Sequence, residues 1–424
     1  MSLRRPGRVF MGLREVSGHY KGLCEGFASI GVRYDYLNIE ENAFAFKGGD
    51  EAHGAMLLRS LKRKRVGSVG WRRGFYSVLQ SAAHVYVFVF YLVRCRYFIF
   101  SAGASFCRLL DLPVLRLFGK RIIFQYHGSD SRLPFIDGAR YSPEMFSAEQ
   151  AWQDTLSLQR NVELVERYAN YIVNIQPQSN LLRQPYIQWM QIGVAAKPEQ
   201  HYIERGWLRF RELCDKPSAT VLKVIHSPSL PHAKGTARIR SVIEALVAEG
   251  WPIDYQEVTG VANDSLIELL LGADIVIDQL YSDYPMPSLA TECAWLHVPL
   301  LIFGYAGEHW AKWLPAEAIP PTAYGEPETL KEALKLMVES KTTRITYAET
   351  CFNFVHANWQ PAQVAARYMA LFKDDLSKEW WAVRDNSYRL GACLDRADSE
   401  GRISRIGQKA EFYFRNRGDK NVDQ

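Results

Sequence analysis

Two short stretches carry residues suited to holding and breaking a phosphate ester. Lys234-Gly235-Thr236 opens a helix-like run soon after a strand-like segment that ends in His226-Ser227-Pro228-Ser229. Pro287-Ser288-Leu289-Ala290-Thr291-Glu292 opens another, after the apolar run Ala273-Asp274-Ile275-Val276-Ile277-Asp278. A reaction that expels a diphosphate builds negative charge on it, and without a metal the site needs a fixed cation and backbone N–H groups aimed at the oxygens. Lys234 supplies the cation. Gly235 permits close backbone approach, and the helix start at Gly235 and Thr236 favours an anion. The plainer reading of Lys234 is an exposed lysine beside a cap. Glu292 is placed to accept the two hydroxyls of a ribose; its plainer role is to complement the helix dipole. Pro287 has no N–H, so the backbone donors of its turn are Ser288 and Leu289, and Ser288 can serve as an N-cap as well.

His127 closes a third strand-like run and precedes Gly128-Ser129-Asp130. Strand ends that face a cleft are where α/β sheets place reactive groups. Asp130 either orients the imidazole or caps the next turn, and a hydrogen-bonded structural histidine is the alternative. Ser227 and Ser229 are candidates for phosphate or base, and His232 for a supplementary cation. Gly18 lies in the first strand-to-helix loop, and His19 beside it reads as structural or exposed. No Asp-x-Asp pair stands at a strand end facing such a cleft, so no metal and no other cofactor is expected. A hydrolase would need two carboxylates flanking the scissile bond, and no such pair emerges. No Gly-x-Ser-x-Gly elbow or phosphate-binding Walker loop is present.

The elements that position these residues alternate between strand and helix, the pattern of parallel α/β sheets. Strands are expected over Arg8–Leu13, Arg33–Asn38, Tyr97–Phe100, Arg121–Tyr126 and Tyr171–Ile175, with helices over Lys21–Ser29 and Ser77–Val93. A chain of 424 residues is too long for one core. Residues 1–195 form the first domain, 196–218 a connection rich in charge and proline, and 219–358 the second domain. Residues 359–375 form a helix returning to the first domain, and 376–424 a polar, partly mobile extension.

The order of elements from Lys223 to Gly304 resembles the donor-binding half of two-domain glycosyltransferases of the family-4-like group. The likeness extends more weakly over 8–372 and is faintest over 35–95. It implies an α/β GT-B fold, two Rossmann-like domains facing across a cleft with a C-terminal helix crossing back. It also implies a nucleotide-sugar donor on the second domain and a glycan or lipid-linked acceptor on the first. Lys234 and the amides at 235–236 would stabilise the leaving diphosphate, Glu292 would hold the ribose, His127 would lie against the sugar, and Gly18 would approach phosphates and acceptor. The resemblance implies retention at the anomeric carbon and a setting in cell-envelope polysaccharide assembly. The family often carries two glutamates; Glu292 matches the second, and Tyr284 occupies the place of the first, with Asp283 beside it out of register. Leu230-Pro231-His232-Ala233 stands where an arginine is common. Those departures leave open a non-catalytic nucleotide-sugar-binding or scaffold descendant, and an epimerase on the same fold.

The net charge of +5 is concentrated: Arg59, Lys62, Arg63, Lys64, Arg65, Arg72 and Arg73 fall in one stretch that ends in Trp71, Phe75 and Tyr76. Cations are drawn to anionic headgroups and aromatics insert at the interface, so an anionic membrane surface fits; a solvated loop is the alternative. No nucleic-acid-binding fold is recognisable. Seven scattered cysteines without ligand spacing point to a reducing compartment. The apolar run after Arg4 and Arg5 is interrupted by Arg14 and Glu15 and does not read as a secretory signal. Val85–Val93 is shorter than the roughly 20 residues that cross a bilayer and reads as a core or interfacial element. The expected location is cytoplasmic, peripheral to the inner membrane face.

Overall fold

The computed structural model describes residues 7–15, 18–40, 52–101, 103–215, 221–383, 385, 388, 390–391 and 393–418, with side chains beyond 406 described at Lys409 alone. Residues 41–51 of the weakly patterned stretch, Pro217 of the connection and 419–424 of the extension lie outside the described residues. The first sheet contains β1 (Val9–Leu13), β2 (Tyr34–Asn38), β3 (Tyr97–Ser101), β4 (Arg121–Gln125), β5 (Tyr171–Asn174) and β6 (Ile187–Gln188) in the order β2-β1-β3-β4-β5-β6. The second contains β7 (Leu222–His226), β8 (Ile253–Glu257), β9 (Ile275–Ile277), β10 (Leu300–Phe303) and β11 (Ala323–Gly325) in the order β11-β10-β9-β7-β8. All pairings are parallel. Helices cover both faces of a parallel sheet, so its central strands are apolar along their length; β1 and β3 are buried at every residue.

The chain reverses its direction of winding between β1 and β3 in the first sheet, and between β7 and β9 in the second. Ligands of open α/β sheets bind beyond the strand ends at such points.

The stretch read as a connection holds a sixteen-residue helix, Gln200–Asp215. Its charged residues mask an inward row of Ile203, Gly206 and Phe210, which is buried. Gly206 lies against the Leu296 backbone. The helix Pro361–Lys373 returns to the first domain, with proline in its first turn and reciprocal side-chain caps between Gln360 and Gln363. It meets the helix His19–Ser29 so closely that a Cβ on Gly26 would collide with the Pro361 carbonyl. Its Tyr368 is buried and hydrogen-bonds the Gln125 side chain, and Asp374 just beyond it pairs with Arg121 and accepts from the Tyr171 hydroxyl at 2.6 Å.

The segment after 376 laces the two domains together. Ala382 N–H donates to the Tyr186 carbonyl of the first domain at 2.9 Å. Asp385 accepts from Trp313 Nε1 of the second at 2.8 Å. Cys393 N–H donates to Tyr281, and Arg396 stacks on Tyr305, both in the second domain. The helix Arg396–Gly418 then returns to the first domain, where Arg402 donates to the Tyr141 carbonyl at 3.0 Å. Composition alone made this segment look like a mobile extension, yet Tyr388, Leu394, Ser399 and Arg402 are all buried.

The helices Ala55–Val66 and Gly70–Arg94 form a hairpin on the outer face of the first sheet. The longer one spans 25 residues, so the apolar run extends well beyond Val85–Val93. By length and composition it could cross a membrane, but Ala83, Val87, Phe88, Tyr91 and Leu92 pack into the core. Its outer face leaves Trp71 76%, Val78 69% and Val93 82% exposed.

Candidate functional site

A cavity of about 420 Å³ opens between the two domains at the winding reversal of the second sheet. The second domain contributes Ser227, Ser229, Lys234, Asp278, Asp283, Tyr284, Pro287, Ser288, Leu289 and Glu292 to its lining. The first contributes His127, Arg132, Gln178 and Trp189, and the C-terminal segment contributes Cys393. Of the residues singled out from sequence, His127, Ser227, Ser229, Lys234, Tyr284, Pro287, Ser288, Leu289 and Glu292 line this cavity, and Gly18, Gly235 and Thr236 do not.

Lys234 ends the short helical turn Pro231–Lys234, and its ammonium lies 3.1 Å from Asp278 Oδ1. Asp278 follows β9 directly and is fully buried; its Oδ2 is also buried and has no hydrogen-bond partner among the described residues. Behind this pair, Gly235 takes a left-handed conformation with φ of 74°, where a Cβ would press on the Leu280 side chain. Its N–H turns back to the His232 carbonyl at 3.4 Å. Thr236 is buried, and its hydroxyl is bonded to His226 Nε2 at 2.9 Å, while His226 Nδ1 meets the Ile277 carbonyl at 2.8 Å. Gly235 and Thr236 thus form the wall behind the cavity, and the amide of Gly235, assigned from sequence to the diphosphate, is used within the turn. The first-turn amides of the helix Ser288–Trp295 have no partner inside that helix, and they border the cavity. His232 is exposed and does not line it.

Glu292 is almost completely buried on that helix and accepts from Asn263 Nδ2 at 2.8 Å. Burial raises its pKa to about 7, Asn263 opposes the shift, and the Asp278 charge adds to it. Glu292 also borders a smaller adjoining pocket lined by Gly18 and Lys21. Gly18 therefore lies beside Glu292 in the adjoining pocket rather than in the main cavity. His19 is structural: Nε2 lies 3.3 Å from the Tyr368 hydroxyl, and Nδ1 accepts from the Ala195 amide at 3.3 Å.

His127 packs edge-on against Trp189 with ring centroids 4.7 Å apart. Burial pushes its pKa down to about 3, and nearby His19 adds to the shift, so the ring is neutral at physiological pH. Its Nε2 and the Trp189 Nε1 are buried without hydrogen-bond partners among the described residues. Asp130 and His127 cap each other: the Asp130 carboxylate accepts from the His127 backbone N–H at 2.9 Å, and the His127 side chain accepts from the Asp130 backbone N–H.

Tyr284 belongs to a polar lock between the domains. Tyr284 donates to Gln178 Oε1 at 2.6 Å, and Gln178 Nε2 donates to Asp283 at 3.2 Å. Arg132 pairs with the same Asp283 and lies 3.4 Å from Asp137. Sequence reasoning missed Asp278, Asn263, Arg132 and Gln178. Asp278 alone carried a local signal, a carboxylate at the end of a buried strand.

The basic stretch divides. Arg59 donates to the Asn38 carbonyl at 2.6 Å and Lys62 lies 3.7 Å from Glu40, so both are drawn onto the sheet edge. Arg63, Lys64, Arg72 and Arg73 are exposed and Arg65 partly so, with Arg72 over the Trp71 ring.

No protein-family model matches the chain, and no curated protein matches it in sequence. Solved structures match its fold. TarM superposes with a TM-score of 0.52 at 8% identity, over 88% of this chain and 100% of that one. HepE of Anabaena, solved with UDP and glucose, gives 0.49 at 12% identity over 87% and 99% of the two chains. A glycosyltransferase from Rickettsia africae gives 0.48 at 10% identity over 88% and 100%. At such identities the likeness is one of fold: the chain has the GT-B architecture of two parallel-sheet α/β domains facing across a cleft.

Proposed function

We propose that the protein is a glycosyltransferase that moves a sugar from a nucleotide-diphosphate-sugar donor to a hydroxyl of a glycan or lipid-linked acceptor. One observation carries this reading: Lys234, the first-turn amides of Ser288 and Leu289, and the Asn263–Glu292 pair line one side of a cleft whose other side presents His127. A nucleoside diphosphate lies along the first side. Lys234 and the two amides take the charge that develops on the departing phosphate, and Glu292 accepts the ribose hydroxyls. No metal is assigned.

His127 is neutral, and because its ring accepts from the Asp130 backbone N–H, the unpartnered Nε2 carries the proton; it donates one hydrogen bond to the sugar and does not act as an acid. Among the described residues the first domain presents no carboxylate to the cavity as a nucleophile, so retention fits a front-face displacement. In it the glycosidic oxygen leaves with its electron pair, the acceptor oxygen bonds to the anomeric carbon from the same face, and the departing phosphate takes the acceptor proton.

A second reading, a binding or scaffold protein on the same fold, draws on two features. Lys234 is already paired with Asp278, and Tyr284 stands in place of the first glutamate. Incubation with a panel of nucleotide sugars separates the readings. Release of nucleoside diphosphate that depends on acceptor is the expected result. Conversion of the sugar without acceptor would indicate an epimerase. Binding without turnover across a broad acceptor panel would indicate the scaffold.

The proposed setting is cell-envelope polysaccharide assembly at the cytoplasmic membrane face, with the hairpin 55–94 as the docking element. Arg63, Lys64, Arg72 and Arg73 of the hairpin are exposed, Arg72 over the Trp71 ring, and one face of its longer helix exposes the apolar row Trp71, Phe75, Val78, Val85, Val89 and Val93. Cations near an anionic surface contribute about 1 kcal/mol each, and buried aromatic and aliphatic area adds to that. Replacing Trp71 and Phe75 together by serine is expected to reduce sedimentation with anionic vesicles about tenfold or more. Unchanged sedimentation would remove the hairpin from the membrane.

A further inference from the structure

We propose that Asp278 is a positioning residue that competes with the donor's diphosphate for Lys234, and so limits how tightly the cleft retains the nucleoside diphosphate; this rests on the donor-site reading above. Asp278 stands at the end of β9, beside the winding reversal, and lines the cavity. Its Oδ1 lies 3.1 Å from the Lys234 ammonium, which is 19% exposed at its side chain and lines the same cavity. Oδ2 is buried and unpartnered among the described residues. A buried carboxylate oxygen without a partner is costly, and such atoms in a native fold call for a reason.

Other cations around the cavity do not relieve the competition. Arg132 is held by Asp283 and Asp137. In the adjoining pocket, Lys21 lies 3.5 Å from Glu199, and Lys197 donates to Gln360 at 3.4 Å with its ammonium over the Trp295 ring. A diphosphate that enters must therefore share the Lys234 ammonium with a fixed carboxylate. The ammonium has three donors and can bridge both, but the two anions repel across it. The repulsion grows as the reaction moves charge onto the diphosphate, and it is greatest in the product complex. Asp278 thus holds Lys234 in place in the empty cleft and speeds the departure of the spent nucleotide.

The sign of one measurement distinguishes this role from simple support. Asp278→Asn keeps the shape and removes the charge. In calorimetric titration with UDP, GDP, ADP, CDP and dTDP, in EDTA and again with Mg²⁺, it should tighten binding of the preferred nucleotide about tenfold, the order of one like-charge contact removed at partly solvated range. Product inhibition of turnover should strengthen in parallel, and Lys234→Ala in the Asp278→Asn background should abolish the gain. If Asp278 only braces Lys234, the substitution will weaken binding or leave it unchanged, and the proposal falls while the donor site stands. If binding requires Mg²⁺ and Asp278→Asn removes that requirement together with affinity, Asp278 is a cation ligand and the proposal is overturned. If the wild type binds none of the five, the donor-site reading fails and this inference with it.

Discussion

Lys234→Ala is expected to lower turnover by about 10²–10³-fold, the typical effect of removing one preorganised contact to developing charge. It should also destabilise the fold. Its ammonium is the partner of buried Asp278, and removing one member of a buried pair leaves the other charge unpaired. Lys234 is partly exposed, so a loss of roughly 2 kcal/mol is expected, smaller than for a fully buried pair. Adding Asp278→Asn separates the two effects: thermal unfolding should return close to wild type while turnover stays low. A double variant that recovers both would mean that Lys234 matters to the fold and not to the diphosphate.

Glu292→Gln is expected to act in opposite directions on binding and on stability. Burial holds the Glu292 pKa near 7 against an ordinary value of 4.5, so the folded protein binds this proton more tightly than the unfolded chain. The stability contributed by the protonated form is complete below about pH 4.5 and is lost as pH rises through about 7. At pH 8 the wild type therefore holds a buried carboxylate at a cost on the order of 1–3 kcal/mol, and glutamine relieves it. The variant's unfolding temperature should exceed the wild type's at pH 8, with the gap closing toward pH 5. Nucleotide affinity should fall about tenfold or more as the charged acceptor for the ribose is lost. Wild-type affinity should rise between pH 6 and 8 more steeply than the variant's, which retains only the dependence from ionisation of the nucleotide's terminal phosphate. Equal affinity in the two proteins would place the ribose elsewhere. The pairing of higher stability with weaker binding is the usual signature of a site residue.

The strands were legible because parallel sheets bury both faces. Val9–Leu13 and Tyr97–Ser101 are apolar or small along their length, and such runs stand out against helical periodicity. Lys234, Glu292 and the 287–289 turn were legible because a strand followed by a helix start is a local pattern. The lock formed by Arg132, Gln178, Asp283 and Tyr284 joins residues more than a hundred positions apart, and nothing local announces which carboxylate meets which guanidinium. Gly235 and Thr236 had the right types for a phosphate loop, but the direction of one N–H decided against Gly235. The C-terminal segment was obscured by its polarity, since Arg402 and Ser399 are buried through hydrogen bonds that composition does not reveal. The helix Gln200–Asp215 was obscured in the same way, its three buried residues outnumbered by charge.

Calorimetric titration of the wild type and Lys234→Ala with UDP, GDP, ADP, CDP and dTDP tests the central claim most directly. The account predicts selective binding of one nucleoside diphosphate, weakened at least tenfold by the substitution. Absence of binding to all five, or binding indifferent to Lys234, would contradict a donor site in this cleft.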